Sequence, residues 1–392
     1  MIFTSLNAQN DKVRWTDLFS YNNVKLLEEV NGVIYCGTEN GIFLFNPLNP
    51  TSDWIKLNKT NFLNNVGVSA MAYDKDSDSF LVGYENGGLD LLKSGESTMV
   101  LDIKWNGFSG DKKVNHIFIN DGIAFISGAF GIVSFDLKQE EFKETTRTNT
   151  AVVNDATING TTLYIATDKG IYSSELTSKK LNNPNINSWT QPTSNQNISN
   201  IELFGSEVYY SVNNELKSLN GVSIPYNFIE NLKSSNGKLI ITQNNQISIL
   251  NGDDYSKIDR EGDAIYFNTA ISIDGNIYGG SLKNGLIDFS SQSLLSYNPK
   301  GPYNNKSWSI TTKNGKVWIA PGGMESYNQP QQNRDGFSYF NKKEWKYFSS
   351  KELLDAKDIV KIAVDPVDDN HFYALSYFEF ISWSSQEERG IF

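Results

Sequence analysis

Short apolar runs separated by turns rich in Gly, Asn and Asp define the pattern of this chain. In residues 32–46 two such runs, 33–36 and 42–45, flank Thr-Glu-Asn-Gly. Asn-Gly between β-forming residues favours a tight hairpin turn, with both turn residues at positive φ. We therefore predict two antiparallel strands joined at Asn40-Gly41. An isolated hairpin is only marginally stable in water, so further strands are expected to cover it.

The same hairpin unit recurs along the chain. Its further copies occupy residues 79–92, 122–137, 162–176, 207–221, 238–252 and 276–290, and an eighth begins at Lys316. The turn glycines Gly32 and Gly315, which open the first and eighth copies, give a mean spacing of about 40 residues, the size of a β-propeller blade. Apolar stretches such as 68–74 and 116–121 precede the hairpins and predict the innermost strands.

These repeats predict an all-β fold: a seven-bladed β-propeller followed by the first blades of a second, incomplete propeller. We assign the first propeller to residues 11–300 and the start of the second to residues 301–392, with 299–303 as a linker. Ring closure is favoured because it protects sheet edges that a linear stack would expose. A β-solenoid or stacked sandwiches are the alternatives, and the variable repeat length argues against a solenoid. A chain ending near Pro299 is expected to fold by itself.

The N-terminal residues 1–10 have the character of a signal-peptide remnant with cleavage after Ala8, which predicts export. The formal charge of −11, without a block of Lys or Arg, argues against binding to nucleic-acid phosphates. No run of eighteen apolar residues occurs, so no membrane-spanning helix is expected. Cys36 is the only cysteine, which rules out an internal disulfide, and its place in a strand predicts a buried apolar role.

Catalytic motifs are not evident in the sequence. His116 and His371 are the only histidines, and with one cysteine they do not form a usual zinc set. His116 lies in an alternating strand, which favours packing or a hydrogen bond over catalysis. The alternating carboxylates Asp74, Asp76 and Asp78 lack the other residues of a calcium loop and predict a solvated turn. We therefore expect no enzyme activity, no cofactor and no metal; a propeller lyase or hydrolase is the least favoured alternative.

Binding at one mouth of the propeller channel is favoured instead. The hairpin loops carry polar and aromatic residues that would converge there and would suit a sugar or a peptide segment. Asn213 and Asn244 also lie in these loops, and the candidate ligand-binding residues are Glu39, Tyr84, Glu85, Phe130, Asp168 and Lys283. Direct capture of an anionic glycan would need a local cluster of Lys or Arg, or a bridging cation, because the chain is acidic.

Two resemblances narrow the expected function. The hairpins TENGIFLFNP and ATDKGIYSSEL resemble the two-component-regulator-type propeller repeat. Residues 15–23, 62–92 and 301–323, with 358–378 after them, resemble the PorZ-type propeller proteins of the type IX secretion system of Bacteroidetes-type bacteria. That family pattern continues through a complete second propeller and a C-terminal β-domain. The segment SYFEFISW, residues 376–383, departs from the Ser-Trp-Gly-Gly-Gly-Leu type of ending expected there.

The second resemblance implies a non-enzymatic scaffold or adaptor that is exported and held at the outer-membrane surface. It implies partners in the attachment complex: a PorU-type peptidase that removes C-terminal signals from cargo and joins the cargo to lipopolysaccharide, with outer-membrane secretion proteins. Lipopolysaccharide or another glycan is a further expected ligand. The alternative is a periplasmic oligosaccharide-sensing propeller of a hybrid two-component regulator.

Overall fold

A computed structural model describes residues 17–391 except 51–52, 149, 179, 182, 227, 253, 259–264, 291–293, 326–328, 378–379 and 385–389. The predicted signal-peptide remnant, residues 1–10, lies outside the described residues. The described chain forms two compact units, one containing residues 23–298 and the other residues 17–22 and 299–391. Both are built almost entirely of antiparallel β-strands.

Unit 1 contains, within its described residues, seven four-stranded sheets whose strands are hydrogen-bonded in chain order. Sheet 1 has strands β1–β4 (Leu26–Val30, Val33–Thr38, Gly41–Phe45, Ile55–Asn58) and sheet 2 has β5–β8 (Val68–Asp74, Ser79–Tyr84, Leu89–Lys93, Glu96–Val100). Sheet 3 has β9–β12 (Val114–Asn120, Ile123–Gly128, Gly131–Asp136, Glu141–Thr146) and sheet 4 has β13–β16 (Val153–Asn159, Thr162–Thr167, Gly170–Glu175, Thr190–Ser194).

The remaining sheets of unit 1 follow the same order. Sheet 5 has β17–β20 (Ile201–Phe204, Glu207–Val212, Glu215–Ser218, Ser223–Pro225) and sheet 6 has β21–β24 (Ile229–Ser235, Lys238–Gln243, Gln246–Asn251, Asp254–Ile258). Sheet 7 has β25–β28 (Phe267–Ile273, Asn276–Ser281, Leu286–Asp288, Leu295–Tyr297). A one-turn helix, α1 (Asp102–Trp105), follows sheet 2, and a 3₁₀ turn (Ile186–Ser188) precedes β16.

Unit 2 contains two four-stranded sheets among its described residues. They are formed by β29–β32 (Ser309–Lys313, Lys316–Ala320, Phe337–Phe340, Trp345–Phe348) and β33–β36 (Ile359–Val364, His371–Ser376, Phe380–Ser384, Gly390–Ile391). A 3₁₀ turn (Ser350–Leu353) joins them, with a capping box between Ser349 and Glu352. The hydroxyls of Ser309 and Thr311 donate to the carbonyls of Val360 and Ile362, so the first strands of the two sheets lie side by side.

The first strands of the seven sheets in unit 1 form its inner ring. Each packs against the first strand of the next sheet, and β25 of the last sheet packs against β1 of the first. The N–H of Val24 also donates to the Ser281 carbonyl at 2.9 Å, which joins the last sheet to the first. These observations confirm the all-β propeller fold predicted from the repeats. Because the sheets close on one another, each keeps only a short outer edge.

Apolar side chains fill the space between successive sheets. One cluster contains Leu81 and Leu91 of sheet 2 together with Ile126 and Phe135 of sheet 3, all at most 1% exposed. The second strands are buried on both faces; every residue of β6 is buried. Outer strands such as β8 and β24 are largely exposed. Cys36 is fully buried in β2, as predicted, and burial raises the pKa of its thiol.

A β-bulge recurs near the start of the inner strands and positions a polar side chain between sheets. The register shifts around Ser69 in β5, Asn115 in β9, Asn154 in β13 and Asn268 in β25. Each of these four side chains donates to a backbone carbonyl at or just before the next inner strand, at 2.7–2.9 Å. A bulge changes the direction of one side chain relative to the regular alternation of the strand. Here that side chain forms the hydrogen bond to the neighbouring sheet.

The hairpin turn of sheet 1 differs from the prediction. Strand β2 ends at Thr38 and β3 begins at Gly41, so the turn residues are Glu39 and Asn40, and neither Asn40 nor Gly41 has a positive φ. The Thr38 hydroxyl donates to the Gly41 carbonyl at 2.8 Å, and this side-chain hydrogen bond connects the two ends of the turn. The positive-φ pair is Asn31-Gly32, at 52° and 80°, between β1 and β2. The predicted Asn40-Gly41 turn type was therefore wrong, although both strands are present.

Residues 17–22 also differ from the predicted domain boundary. They belong to unit 2, where the Ser20 N–H donates to Asn305 Oδ1 at 2.8 Å and the Asn22 amide donates to the Tyr303 carbonyl at 2.8 Å. The ring of Tyr303 stacks on Tyr347 with centroids 4.0 Å apart. The segment predicted as a linker is thus packed into unit 2, because the ring and the backbone carbonyl of Tyr303 find partners there.

Candidate functional site

A central channel runs between the inner strands of unit 1. Residues of β1, β5, β9, β13, β17, β21 and β25 line a cavity of about 260 Å³ there. Ala70 and Ala72 of β5 are among the residues that line this cavity. The channel also holds ionisable side chains from five different sheets: Glu28, His116, Asp155, Glu202 and Lys233.

His116 and Asp155 form one of two close charged contacts in this channel group, the other being that of Lys233 with Glu28. His116 Nδ1 lies 2.7 Å from Asp155 Oδ1, a charge contact whose angle departs from that of a linear hydrogen bond. Asp155 is held in place by backbone donors, because the N–H groups of Ala156 and Ile201 donate to its two oxygens at 2.7 and 2.9 Å. Burial lowers the pKa of His116, but the Asp155 carboxylate outweighs that effect and the net pKa is raised.

Glu202 is the residue whose ionisation the channel perturbs most clearly. Burial and then the nearby Asp155 carboxylate raise the pKa of Glu202 to about 7, against the opposing influence of His116 and Lys233. The Lys233 ammonium donates to the Leu27 carbonyl at 2.7 Å and to Glu28 Oε2 at 2.6 Å. Lys233 therefore links β21 to β1 across the channel. Because its pKa is about 7, Glu202 is partly protonated at neutral pH.

This arrangement places Glu202, whose pKa is raised, in the same cavity as the His116–Asp155 contact, and it links inner strands from different sheets. The sequence predicts packing or a hydrogen bond for His116, and the structure shows its contact with Asp155. Asp155, Glu202, Lys233 and Glu28 were not predicted as members of a site. The available signal was a charged residue within an apolar inner strand, as in the Ile-Glu-Leu-Phe sequence of β17. Only the closed ring brings these residues together, since 174 residues separate Glu28 from Glu202 in sequence.

The predicted mouth residues lie where hairpin turns meet the segments that enter the inner strands. The Glu39 carbonyl accepts the Gly67 N–H at 2.7 Å, and the Glu85 N–H donates to the Gly67 carbonyl at 2.8 Å, so these two exposed residues flank one segment. Asp168 accepts the Val152 N–H through Oδ1 at 2.9 Å. Lys283 is exposed in the loop between β26 and β27, and the Asn244 carbonyl accepts the Phe267 N–H at 2.8 Å.

Tyr84 and Phe130 occupy different positions from the exposed rim expected for them. Tyr84 is 1% exposed, and its hydroxyl donates to Asp90, a fully buried carboxylate that also accepts the Asn64 N–H at 2.7 Å. Burial raises the pKa of Tyr84, with Asp90 adding to the effect. Tyr84 is therefore part of the core beneath the loop. Phe130 is 6% exposed, and it lines a second cavity of about 730 Å³ on the side of sheet 3.

Other expectations concern metals and membranes. Among the described residues, no group of three or more His, Cys, Asp or Glu side chains has an arrangement that could hold a metal ion. The Asp74 carboxylate accepts the Ser77 N–H at 3.1 Å, and the Tyr73 hydroxyl donates to Asp78 at 2.8 Å, within the turn between β5 and β6. The helices of the described chain are too short and too polar to cross a bilayer.

The fold and the channel define unit 1 as a β-propeller with a charged axis. Residues 34–190 match the family model described as "TSS9, PorZ, N-terminal beta-propeller domain". The resemblance to a PorZ-type propeller is thereby confirmed. A comparison with curated proteins finds no match.

Comparison with solved structures agrees with this fold. The chain is similar to PorZ of Porphyromonas gingivalis, described as an essential bacterial surface component of the type-IX secretion system, with 15% identity and a TM-score of 0.77. The match covers 95% of this chain and 52% of that chain, so the chain spans about half the length of the PorZ structure. The WD40 propeller domain of Doa1 is also similar, with 13% identity, a TM-score of 0.52, and coverage of 69% and 97%. The extracellular domain of BT4673 from B. thetaiotaomicron has a TM-score of 0.43, 13% identity, and coverage of 96% and 67%.

Proposed function

We propose that this chain acts as a non-enzymatic scaffold of a type IX secretion attachment complex at the outer-membrane surface. In this role it assists the processing of exported cargo and its attachment to lipopolysaccharide. The observation that carries the proposal is the match of residues 34–190 to the PorZ N-terminal propeller model. The similarity of fold over 95% of the chain to PorZ, named as a surface component of that secretion system, supports it.

The channel geometry agrees with a scaffolding role. Lys233 pairs with Glu28 across the channel, and His116 pairs with Asp155 of the neighbouring inner strand, so these charges hold inner strands together. Structural pairs of this kind make the ring rigid. A rigid ring presents its loops in a fixed arrangement, which lowers the entropic cost of binding a partner.

The partner-binding face in this proposal is the mouth that carries Glu39, Glu85, Asp168 and Lys283. Glu39 and Glu85 flank the Gly67 segment and are both exposed. An acidic rim favours contact with a basic surface of a protein partner over direct capture of an anionic glycan. We therefore assign this mouth to a protein of the complex, such as the C-terminal-signal peptidase.

Affinity purification of the tagged full-length protein from envelope fractions tests the proposal. We expect the C-terminal-signal peptidase and outer-membrane secretion proteins to be recovered with it, as identified by mass spectrometry. Failure to recover any of them from a fraction that contains them contradicts the proposal. Recovery of an inner-membrane histidine kinase instead would support the hybrid-regulator alternative.

Charge reversal tests the assignment of the mouth. The double variant Glu39→Lys with Glu85→Lys is expected to lose most of the recovered peptidase. The control Glu96→Lys, on the exposed outer strand β8, is expected to keep it. If both variants recovered the same amount of peptidase, the partner would bind at a different face from this mouth.

A further inference from the structure

The cavity of about 730 Å³ beside sheet 3 has one wall that belongs to none of the four-stranded sheets of unit 1. One wall is the segment of residues 101–109, which contains α1, and the other is formed by strands β11 and β12 with the residues next to them. Its volume falls in the range of about 300–1,000 Å³ that is usual for ligand pockets. The mouth and channel described above do not use it.

The wall formed by residues 101–109 is fixed in place by local bonds. The Lys112 ammonium donates to the carbonyls of Lys104 and Asn106 at 2.6 and 3.0 Å. The Phe108 N–H donates to Asn106 Oδ1 at 3.0 Å, which sets the turn that carries the Phe108 ring. A ligand entering this cavity therefore meets a wall that is already formed, and less ordering is needed on binding.

The floor of the cavity is apolar. Ile103, Phe130 and Val133 lie there and are 3%, 6% and 7% exposed. The rings of Phe108 and Phe142 complete the apolar lining and are partly buried. Such a lining suits an aliphatic or aromatic side chain, because each apolar group buried against it leaves water.

Most polar residues of the cavity lie in its exposed part, whereas Thr148 is buried and its hydroxyl donates to the Ala151 carbonyl. Arg147 is exposed there, in a chain whose formal charge is −11, and its guanidinium can bind a carboxylate through two parallel hydrogen bonds. Asp102 and Asn106 are also exposed and offer oxygen atoms that can accept peptide N–H groups. The lining thus combines a carboxylate-binding cation, an apolar floor and acceptors for a peptide backbone.

We propose that this cavity is a binding site for a short peptide segment in which an apolar side chain neighbours an acidic residue. The apolar side chain enters the floor formed by Ile103, Phe130 and Val133, and the acidic group pairs with Arg147. This site is distinct from the mouth assigned to the secretion partner, and the inference does not depend on the proposed function.

Fluorescence anisotropy with the purified 392-residue chain tests this site. The probe is fluorescein-labelled Gly-Ser-Gly-Phe-Glu-Gly, with Phe-to-Ala and Glu-to-Gln versions as matched peptides. We expect saturable binding of the probe and a loss of about tenfold or more when its Phe becomes Ala. The wild type is expected to bind the Glu-to-Gln probe several-fold more weakly than the original probe. The Arg147→Gln variant is expected to bind the two probes equally, because the cation that pairs with the probe carboxylate is missing.

Two protein variants complete the test. Thr145→Trp places an indole in the cavity from an exposed position on β12 and is expected to abolish binding. Lys143→Gln removes a cation of the same strand that does not line the cavity, and is expected to bind as the wild type does. Circular dichroism verifies that each variant is folded.

Three results would overturn the proposal. The first is no saturable binding up to millimolar probe, and the second is binding by Thr145→Trp equal to that of the wild type. The third is the same loss of affinity on the Glu-to-Gln change in the wild type and in Arg147→Gln. The proposal would also be overturned if the wild type bound maltohexaose but not the peptide, and if Thr145→Trp blocked that binding. The ligand of the cavity would then be a glycan. Recovery of secretion partners by the full-length protein is a separate measurement, so failure of either hypothesis is distinguishable from failure of the other.

Discussion

Asn268 donates a hydrogen bond from Nδ2 to the carbonyl of Val24 at 2.8 Å, across 244 residues of sequence. The bulge that frees Asn268 from the ladder of β25 points it at the start of the first inner strand. Asn115 makes the matching bond to the Val153 carbonyl between sheets 3 and 4, at 2.9 Å. The same device thus joins sheets within the ring and at the place where its two ends meet.

Removing the closing bond should weaken that junction. Asn268→Ala leaves the Val24 carbonyl without this donor, and we expect a loss of about 1–2 kcal/mol in the free energy of unfolding. Urea denaturation measures the loss, and amide hydrogen exchange should become faster in β1 and β25. Asn115→Ala is the matched control: a similar loss of stability is expected, with exchange in β1 and β25 unchanged. Unchanged stability in Asn268→Ala would show that the closing bond contributes little.

The channel should make stability depend on pH. The pKa of Glu202 is about 7 in the folded protein and 4.5 as its ordinary value, so the folded chain binds a proton that the unfolded chain releases between these values. Stability therefore falls as pH rises through this window and levels off above about 7. The raised pKa of His116 acts in the same direction, because the stabilising contact of its charged form is lost as pH rises.

Glu202→Gln should remove most of that dependence. The amide keeps the shape of the side chain but not its charge, so we expect the variant to exceed the wild type by about 1–3 kcal/mol at pH 8. The two proteins should be nearly equal at pH 5. Urea denaturation at pH 5, 6, 7 and 8 gives the comparison, and Glu96→Gln on an exposed outer strand is the control. A variant less stable than the wild type at pH 8 would refute this account of Glu202.

The left-handed turn at Asn31-Gly32 should be sensitive to a side chain. Gly32 has φ of 80° and open space around its Cβ position, so Gly32→Ala tests backbone strain alone. We expect a loss of about 1–2 kcal/mol in unfolding free energy, because L-residues disfavour this conformation. Gly107→Ala also meets open space but has no positive φ, and should be nearly neutral. Equal effects of the two substitutions in thermal or urea unfolding would contradict this account.

Residues 23–298 should fold without the rest of the chain. Their seven sheets form a ring in which the last inner strand packs on the first. We expect a chain of these residues to unfold in one cooperative transition, with coincident curves from circular dichroism and tryptophan fluorescence. Non-coincident curves or an unfolded product would mean that the ring needs residues outside this range.

The strands were predictable because alternation and turn residues are local signals. The predicted inner strand 68–74 corresponds to β5, Val68–Asp74, and the hairpin copies correspond to the second and third strands of each sheet. The turn type at Asn40-Gly41 was not predictable from the dipeptide alone. Its conformation depends on the Thr38 hydroxyl, which bonds across the turn to Gly41, and on the bond between Glu39 and Gly67, which is distant in sequence.

The channel and the bulges depend on contacts that the ring creates. An apolar residue followed by Ser or Asn begins several inner strands, as in Val68-Ser69, Val114-Asn115, Val153-Asn154 and Phe267-Asn268. That recurrence was a readable signal for the bonds between sheets, and it was overlooked. The pairing of Lys233 with Glu28 had no local signal, because it depends on which inner strands face each other across the axis.

Deletion of the gene in a bacterium that carries the type IX system tests the central claim most directly. Immunoblotting of envelope and medium fractions follows a cargo protein, its C-terminal signal and its attached lipopolysaccharide. We expect cargo in the deletion strain to keep its C-terminal signal and to lack the attached lipopolysaccharide, with restoration by the full-length gene. Cargo that is processed and attached normally in the deletion strain would contradict the account.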